Sequence, residues 1–304
     1  MTTPRRKTMF GVGISTAADA APQALRHAAR ADRAGLDLFT VSDHPYVGGR
    51  LDAYSIVGMA LGRTTRISGL VNVTNLPSRP APMLARTVTS LSALSGGRIV
   101  LGLGAGGLWD EIAKLGVPRL GPGAAVRALG EAITLVRALS GGGDPVTFDG
   151  EFYQVTDLEP APAPAPPVWT GSVGPKSLAV TGRLADGWIP GHAADWLSPR
   201  YRTSRPVIDR AAADAGRDPR DVATIYNMLG VITPTPLAAT RDRDGRWIGG
   251  SAEQWAEELT NAVLKHDAAG FIYFTADDTA ADVALGRWAE EVVPRVREAV
   301  AAGS

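Results

Sequence analysis

The tetrapeptide Ser42-Asp43-His44-Pro45 sets a carboxylate beside an imidazole at the end of a short apolar run. Imidazole exchanges a proton near neutral pH, and a neighbouring carboxylate either fixes its tautomer or binds a hydroxyl of a ligand. The same four residues also suit a plain turn, with Asp43 as its cap and His44 packed in the loop. Three further stretches carry groups that a ligand can use. Asn72-Val73-Thr74-Asn75 offers amides and a hydroxyl to a heteroaromatic ring, or simply closes a polar turn. Gly102-Leu103-Gly104-Ala105-Gly106-Gly107 lets a ligand approach the backbone closely. It lacks the full glycine fingerprint of a dinucleotide fold and the acidic residue about 20 positions on, which disfavours a Rossmann reading. In Gly171-Ser172-Val173-Gly174-Pro175-Lys176-Ser177, free amides at a helix start join an ammonium and hydroxyls in an anion site suited to phosphate. Proline at such a position is equally common in helices that bind nothing. The histidines His27, His44, His192 and His266 are scattered with no pair four residues apart, so no metal site is expected. His192 is a second pocket-lining candidate, whereas Trp109, Trp169 and Trp188 either wall a planar ligand or fill the core.

The elements that must position these residues follow from an alternation running the length of the chain. Short β-branched runs at 9–14, 38–42, 67–73, 99–104, 168–171, 187–190, 224–232 and 270–274 predict eight strands. Amphipathic runs at 22–34, 54–61, 82–94, 125–139, 176–184, 251–266 and 280–301 predict helices between and after them, with glycine stops at Gly35 and Gly270. Eight such units favour a closed (β/α)8 TIM barrel over an open doubly wound sheet. In a barrel, function sits in the loops after the carboxyl ends of the strands, which is where the four stretches fall. Phe148 to Val155, with Asp149-Gly150 between aromatic positions, reads as a hairpin, and 158–167 as an Ala/Pro-rich connector. Because the rhythm resumes at Val168, the region of about 141–167 is an insertion and residues 1–304 are expected to form a single domain. The run 233–250 lacks periodicity and is expected to be a mobile loop over the barrel mouth.

Composition narrows the partners. With 31 basic and 31 acidic residues the formal charge is zero, leaving no basic field for nucleic acid or an anionic membrane. Absence of cysteine removes disulfides, thiolate metal sites and cysteine nucleophiles, and fits a reducing cytoplasm. The basic stretch Met1 to Lys7 is not followed by an apolar run of signal-peptide character, and no later run approaches membrane-spanning length. These features predict a soluble cytoplasmic protein acting on a small molecule.

Taken together, Val41-Ser42-Asp43-His44-Pro45, the run from Leu94 through Ser95-Gly96-Gly97-Arg98 to Gly104-Ala105-Gly106, and Leu184-Ala185-Asp186-Gly187-Trp188 resemble the luciferase-like monooxygenase family over nearly the whole chain. That resemblance implies a (β/α)8 barrel with an insertion and either of two cofactors: FMN, used to activate oxygen or reduce substrates, or the deazaflavin F420, which carries hydride. Gly174-Pro175-Lys176-Ser177-Leu178 is similar to the segment beside the cofactor phosphate in F420-dependent members, which favours F420 with FMN as the alternative. It further implies Asp43 on the deazaflavin, His44 as proton donor or acceptor, and a non-prolyl cis peptide at Asn72-Val73 behind the ring. On the same resemblance, Gly104, Ala105 and Gly106 are expected to line the cofactor, and Ser172, Val173, Gly174, Pro175, Lys176 and Ser177 to hold its phosphate. A homodimer joined by helices beside strands two to four is implied too, and for an FMN monooxygenase a separate reductase. One departure stands out: F420-dependent sugar-phosphate dehydrogenases of this fold carry glutamate directly after the glycine pair of strand four, where this chain has Gly107. A barrel that binds cofactor or ligand without turnover is the reading from another class.

Overall fold

The computed structural model describes residues 6–192, 194–275 and 281–303. Most of the basic start and residue 280, the first of the last predicted helix, lie outside the described residues. Eight parallel strands form the centre: β1 (Met9–Gly13), β2 (Leu38–Val41), β3 (Ser68–Val71), β4 (Ile99–Gly104), β5 (Val168–Thr170), β6 (Gly187–Trp188), β7 (Ala223–Leu229) and β8 (Gly270–Phe274). Each pairs with the next, Met9 of β1 lies opposite Gly270 of β8, and Gly69 of β3 lies opposite Ile99 of β4, so the sheet closes. The open-sheet alternative is thereby removed.

Around the barrel run α1 (Ala21–Arg33), α2 (Ala53–Leu61), α3 (Ala81–Ser95), α4 (Pro122–Ala138), α5 (Pro175–Leu184), α6 (Pro199–Asp214) and α7 (Ala252–His266). A last helix, α8, continues through Ala281–Gly286, a π turn at Arg287–Val292 and Val293–Ala302. Helical spacing explains their seating: in α1 the residues Ala24, His27, Ala28 and Ala31 form one buried stripe. Two apolar layers result. Leu38, Leu70, Val100, Trp169, Ile225 and Ile272 fill the barrel, with Val73 and Phe274 packed on top of them at the carboxyl end. Trp169 fits inside because β6 begins with Gly187, where a Cβ would lie 2.5 Å from the indole. Outside the strands, Phe10, Trp255 and Trp288 belong to the larger layer shared with the helices.

Three boundaries differ from the sequence expectation for physical reasons. The predicted strand 224–232 breaks at Gly230, whose φ of +149° turns the chain out of the sheet. Gly270 opens β8 rather than stopping α7, which Asp267 ends at φ +53° in the left-handed region. The aperiodic run 233–250 is held between two short parallel strands, Val231–Thr233 and Gly249–Ser251. Its Arg241 donates to Asp195 at 2.6 Å and also to Glu258 of α7, and lies over the Trp247 ring. The insertion holds an antiparallel hairpin, Val146–Asp149 with Gln154–Leu158. Glu131 of α4 accepts from the amides of Glu151, Phe152 and Tyr153, tying the hairpin turn to the barrel wall.

Candidate active site

The floor of the mouth is Val73 and Phe274. Gly104 and Gly171 let Val73 sink between the ends of β4 and β5: a Cβ on Gly104 would stand 2.9 Å from Val73 and one on Gly171 3.1 Å from it. Replacing Gly104 by alanine should push Val73 up into the mouth, an overpacking worth about 1–3 kcal/mol. Cofactor affinity in a direct titration should fall by tenfold or more in the same variant; undiminished affinity would show that nothing binds above Val73. The Asn72–Val73 peptide is cis. Asn72 Nδ2 donates to Oδ1 of the buried Asn227 of β7 at 2.9 Å. His192, bridged to Asn227 through the backbone, meets the Phe274 ring edge-on at 5.1 Å. Desolvation lowers its pKa although it remains exposed.

Behind this floor a polar cluster fixes the segment after β3. Asp43, with 1% of its side chain exposed, accepts from Arg79 Nε at 2.9 Å, Arg79 Nη2 at 2.7 Å and the Asn75 amide at 2.9 Å. Arg79 also donates to Asp52 at 2.6 Å and lies 4.9 Å over the Tyr54 ring, whose hydroxyl meets Thr74 Oγ1 at 2.7 Å. Both oxygens of Asp43 are therefore spent inside the protein. Sequence reasoning aimed this carboxylate at a ligand or at His44; the structure has it hold Arg79 and the floor segment. Arg79 itself was missed, and its only sequence signal is a lone cation 36 residues from the buried acid.

His44 Nδ1 lies 2.7 Å from the Tyr46 hydroxyl instead. Desolvation and the nearby Arg50 push the His44 pKa down, against a smaller upward pull from Asp43. On the opposite side, the turn from Ser172 to Ser177 leads into α5. Ser172 Oγ accepts from Thr181 at 2.9 Å, its carbonyl accepts from the buried Trp188 indole at 2.8 Å, and Ser177 Oγ donates to the Gly174 carbonyl at 2.9 Å. Both hydroxyls thus serve the turn. No side chain caps α5, Pro175 has no amide proton, and Lys176 projects into solvent beside the free amides of the first turn. Gly106, at φ +96° against Pro77 and Trp109, bends the chain away after β4, with Ala105 half-buried beside it. Trp169 and Trp188 are core, and His27 is buried against Asp282 at 2.9 Å. Among the described residues, no group of three or more His, Cys, Asp or Glu side chains is placed to hold a metal ion.

These strand-end groups can receive a planar ligand on an apolar floor, an anion at the start of α5 and a proton at His44. A family model for luciferase-like monooxygenases matches residues 7–303. The F420-dependent glucose-6-phosphate dehydrogenase of Microbacterium testaceum is 30% identical over 238 residues, 75% of this chain and 68% of that protein. A phthiodiolone/phenolphthiodiolone dimycocerosates ketoreductase of Mycobacterium kansasii is 30% identical over 233 residues, 74% of this chain and 57% of the ketoreductase. Among solved structures, an F420-dependent secondary alcohol dehydrogenase in complex with an F420–acetone adduct superposes at a TM-score of 0.78 and 20% identity, covering 96% of this chain and 99% of that one. The chain belongs to the luciferase-like monooxygenase family of oxidoreductases.

Proposed function

We propose that this protein is an F420-dependent oxidoreductase that moves hydride between the deazaflavin and a small organic substrate. The observation that carries the reading is the pairing, at one end of the barrel, of an apolar floor cleared by Gly104 and Gly171 with an uncapped helix start bearing Lys176. Residues present at this end fit the cofactor. Val73 and Asn72 would hold the ring, and the amides of Lys176 and Ser177 with the Lys176 ammonium would hold the phosphate. When bound, the deazaflavin supplies a two-electron hydride carrier. Asp43 holds the floor in place through Arg79 and the Asn75 amide, and His44 gives or takes the proton at the substrate oxygen.

The rim favours a substrate with an apolar body. Leu108, Leu115, Val173, Leu197 and Ile248 are exposed on segments that follow strand ends, and Leu229 is exposed at the end of β7 itself. Near β4, Lys114 is paired with Glu111 and Arg119 with Asp110, and Gly107 stands where sugar-phosphate dehydrogenases of this fold carry glutamate. A ketone or secondary alcohol fits this rim better than a sugar phosphate. The enzyme works in the cytoplasm, and two copies pair through α2 and α3, where Met59, Met83 and Leu94 are exposed; a separate reductase belongs to the FMN alternative. No helix among the described residues is long and apolar enough to cross a membrane.

Equilibrium titration of the protein with F420 and with FMN tests the cofactor. F420 should bind at micromolar concentration, and Lys176→Ala should weaken it about five- to tenfold, as expected for one helix-terminal charge contact of about 1 kcal/mol. Preference for FMN with oxygen uptake would make the protein a flavin monooxygenase, and binding of neither would leave a barrel that handles some other ligand.

A further inference from the structure

A histidine that handles a proton needs a defined tautomer, and the adjacent Asp43 does not supply one, since both its oxygens are taken by Arg79 and the Asn75 amide. The ring is held by Tyr46, two residues on. Nδ1 and the phenol oxygen are 2.7 Å apart, the rings meet at 62° with centroids 5.7 Å apart, and both side chains are half-buried. Nε2 has no hydrogen-bond partner among the described residues, and it is therefore the nitrogen placed to meet a substrate oxygen.

We propose that Tyr46 is the positioning and proton-relay residue of His44: its hydroxyl donates to Nδ1, which places the proton of the neutral ring on Nε2. This role rests on the deazaflavin reading above. In the reductive direction a hydride from the reduced cofactor forms the new C–H bond, the carbonyl π bond breaks, and the substrate gains two electrons that the cofactor loses. The Nε2–H proton passes to the resulting alkoxide oxygen as the Tyr46 O–H bond breaks and the Nδ1–H bond forms, so the ring never becomes an anion. Alkoxide is a far stronger base than phenolate, so the net transfer runs downhill. Afterwards Nε2 takes a proton from water and Nδ1 returns its own to Tyr46, leaving a balance of one hydride and one water-derived proton per alcohol formed. Asp43 and Arg50 act on His44, and Asp43, Arg50 and Glu111 on Tyr46. Desolvation acts most strongly on both: joined by Arg50 and opposed by Asp43 it lowers the histidine, and joined by Asp43 and Glu111 and opposed by Arg50 it raises the tyrosine, so that both partners are neutral at pH 7.

The test begins on the cofactor-free protein labelled with 15N-histidine. Two-bond nitrogen–proton correlations report the tautomer of each ring, and His44→Gln identifies the His44 signals among the four histidines. The relay requires the Nε2–H form in the wild type and its loss in Tyr46→Phe. A wild-type ring protonated on Nδ1, or an unchanged tautomer in Tyr46→Phe, would overturn it. With cofactor, Tyr46→Phe should lower kcat about tenfold or more while leaving F420 affinity unaltered, within the range of general acid–base effects. A shifted tautomer with unchanged kcat would overturn the relay. If the wild type fails to bind F420, the deazaflavin reading falls, and with it hydride transfer, whereas the tautomer result still decides whether Tyr46 sets the His44 proton.

Discussion

Replacing His44 by alanine should reduce turnover by about 10²- to 10⁴-fold while leaving the F420 dissociation constant nearly unchanged. Val73 and the start of α5, not the imidazole, carry cofactor affinity in the proposed site, so the two quantities must separate. Single-turnover absorbance changes of the deazaflavin give the first and equilibrium titration the second. The pH profile adds a sign. Desolvation and Arg50 hold the His44 pKa below its usual 6.5, against Asp43. In the ketone-reducing direction the relay needs a neutral ring whose Nδ1 is free to take the Tyr46 proton, so the rate should be flat through neutrality and fall only as pH drops through that depressed value. An alanine variant with unchanged turnover, or an acid limb centred above pH 6.5, would remove His44 from the chemistry.

Arg79→Leu should be the most damaging change outside the core. It leaves Asp43, whose side chain is 1% exposed, with the Asn75 amide alone, and stranding one partner of a buried ion pair costs about 3–5 kcal/mol. Urea unfolding measures the loss, and a cost under about 1 kcal/mol would mean that the pair does not secure the site. Arg79→Lys keeps the charge but loses the two-pronged contact, so only partial recovery is expected. Asp52 provides an independent check. Burial alone would raise its pKa, but hydrogen bonds from Arg79 and the Ser55 amide overcome that and leave it lowered. A depressed carboxylate contributes stability above its ordinary pKa of 3.8 that is lost as pH falls through the folded value. Arg79→Leu should shrink that acid-dependent component.

Period and chain rhythm made the barrel legible, because eight apolar runs separated by amphipathic ones leave few alternatives, and each run overlaps a strand of the closed sheet. Ends of elements were less legible. Breaking the predicted 224–232 strand depends on the φ of Gly230, and stopping α7 depends on Asp267 tolerating a left-handed turn. Both are single-residue conformations that hydrophobic pattern does not encode. The order within 233–250 is invisible to periodicity because it comes from Arg241 reaching Asp195 and Glu258, contacts 46 and 17 residues away in the chain. At the site, strand ends pointed to the right segments, but which atoms face outward depends on long-range pairing. Asp43 turns inward because Arg79 waits there, and Tyr46 became visible only once the loop after β2 had a shape.

Val73 sits low between the ends of β4 and β5 because two methyl groups are missing, at Gly104 and Gly171. Neither glycine belongs to the His44–Tyr46 pair, so clearance over the floor and proton handling are written at separable positions. Selection, or a designer, could therefore adjust the size of what lies there in steps of one carbon without rewriting the acid–base machinery, and lineages that share the proton-handling pair are free to diverge in the breadth of molecule they admit.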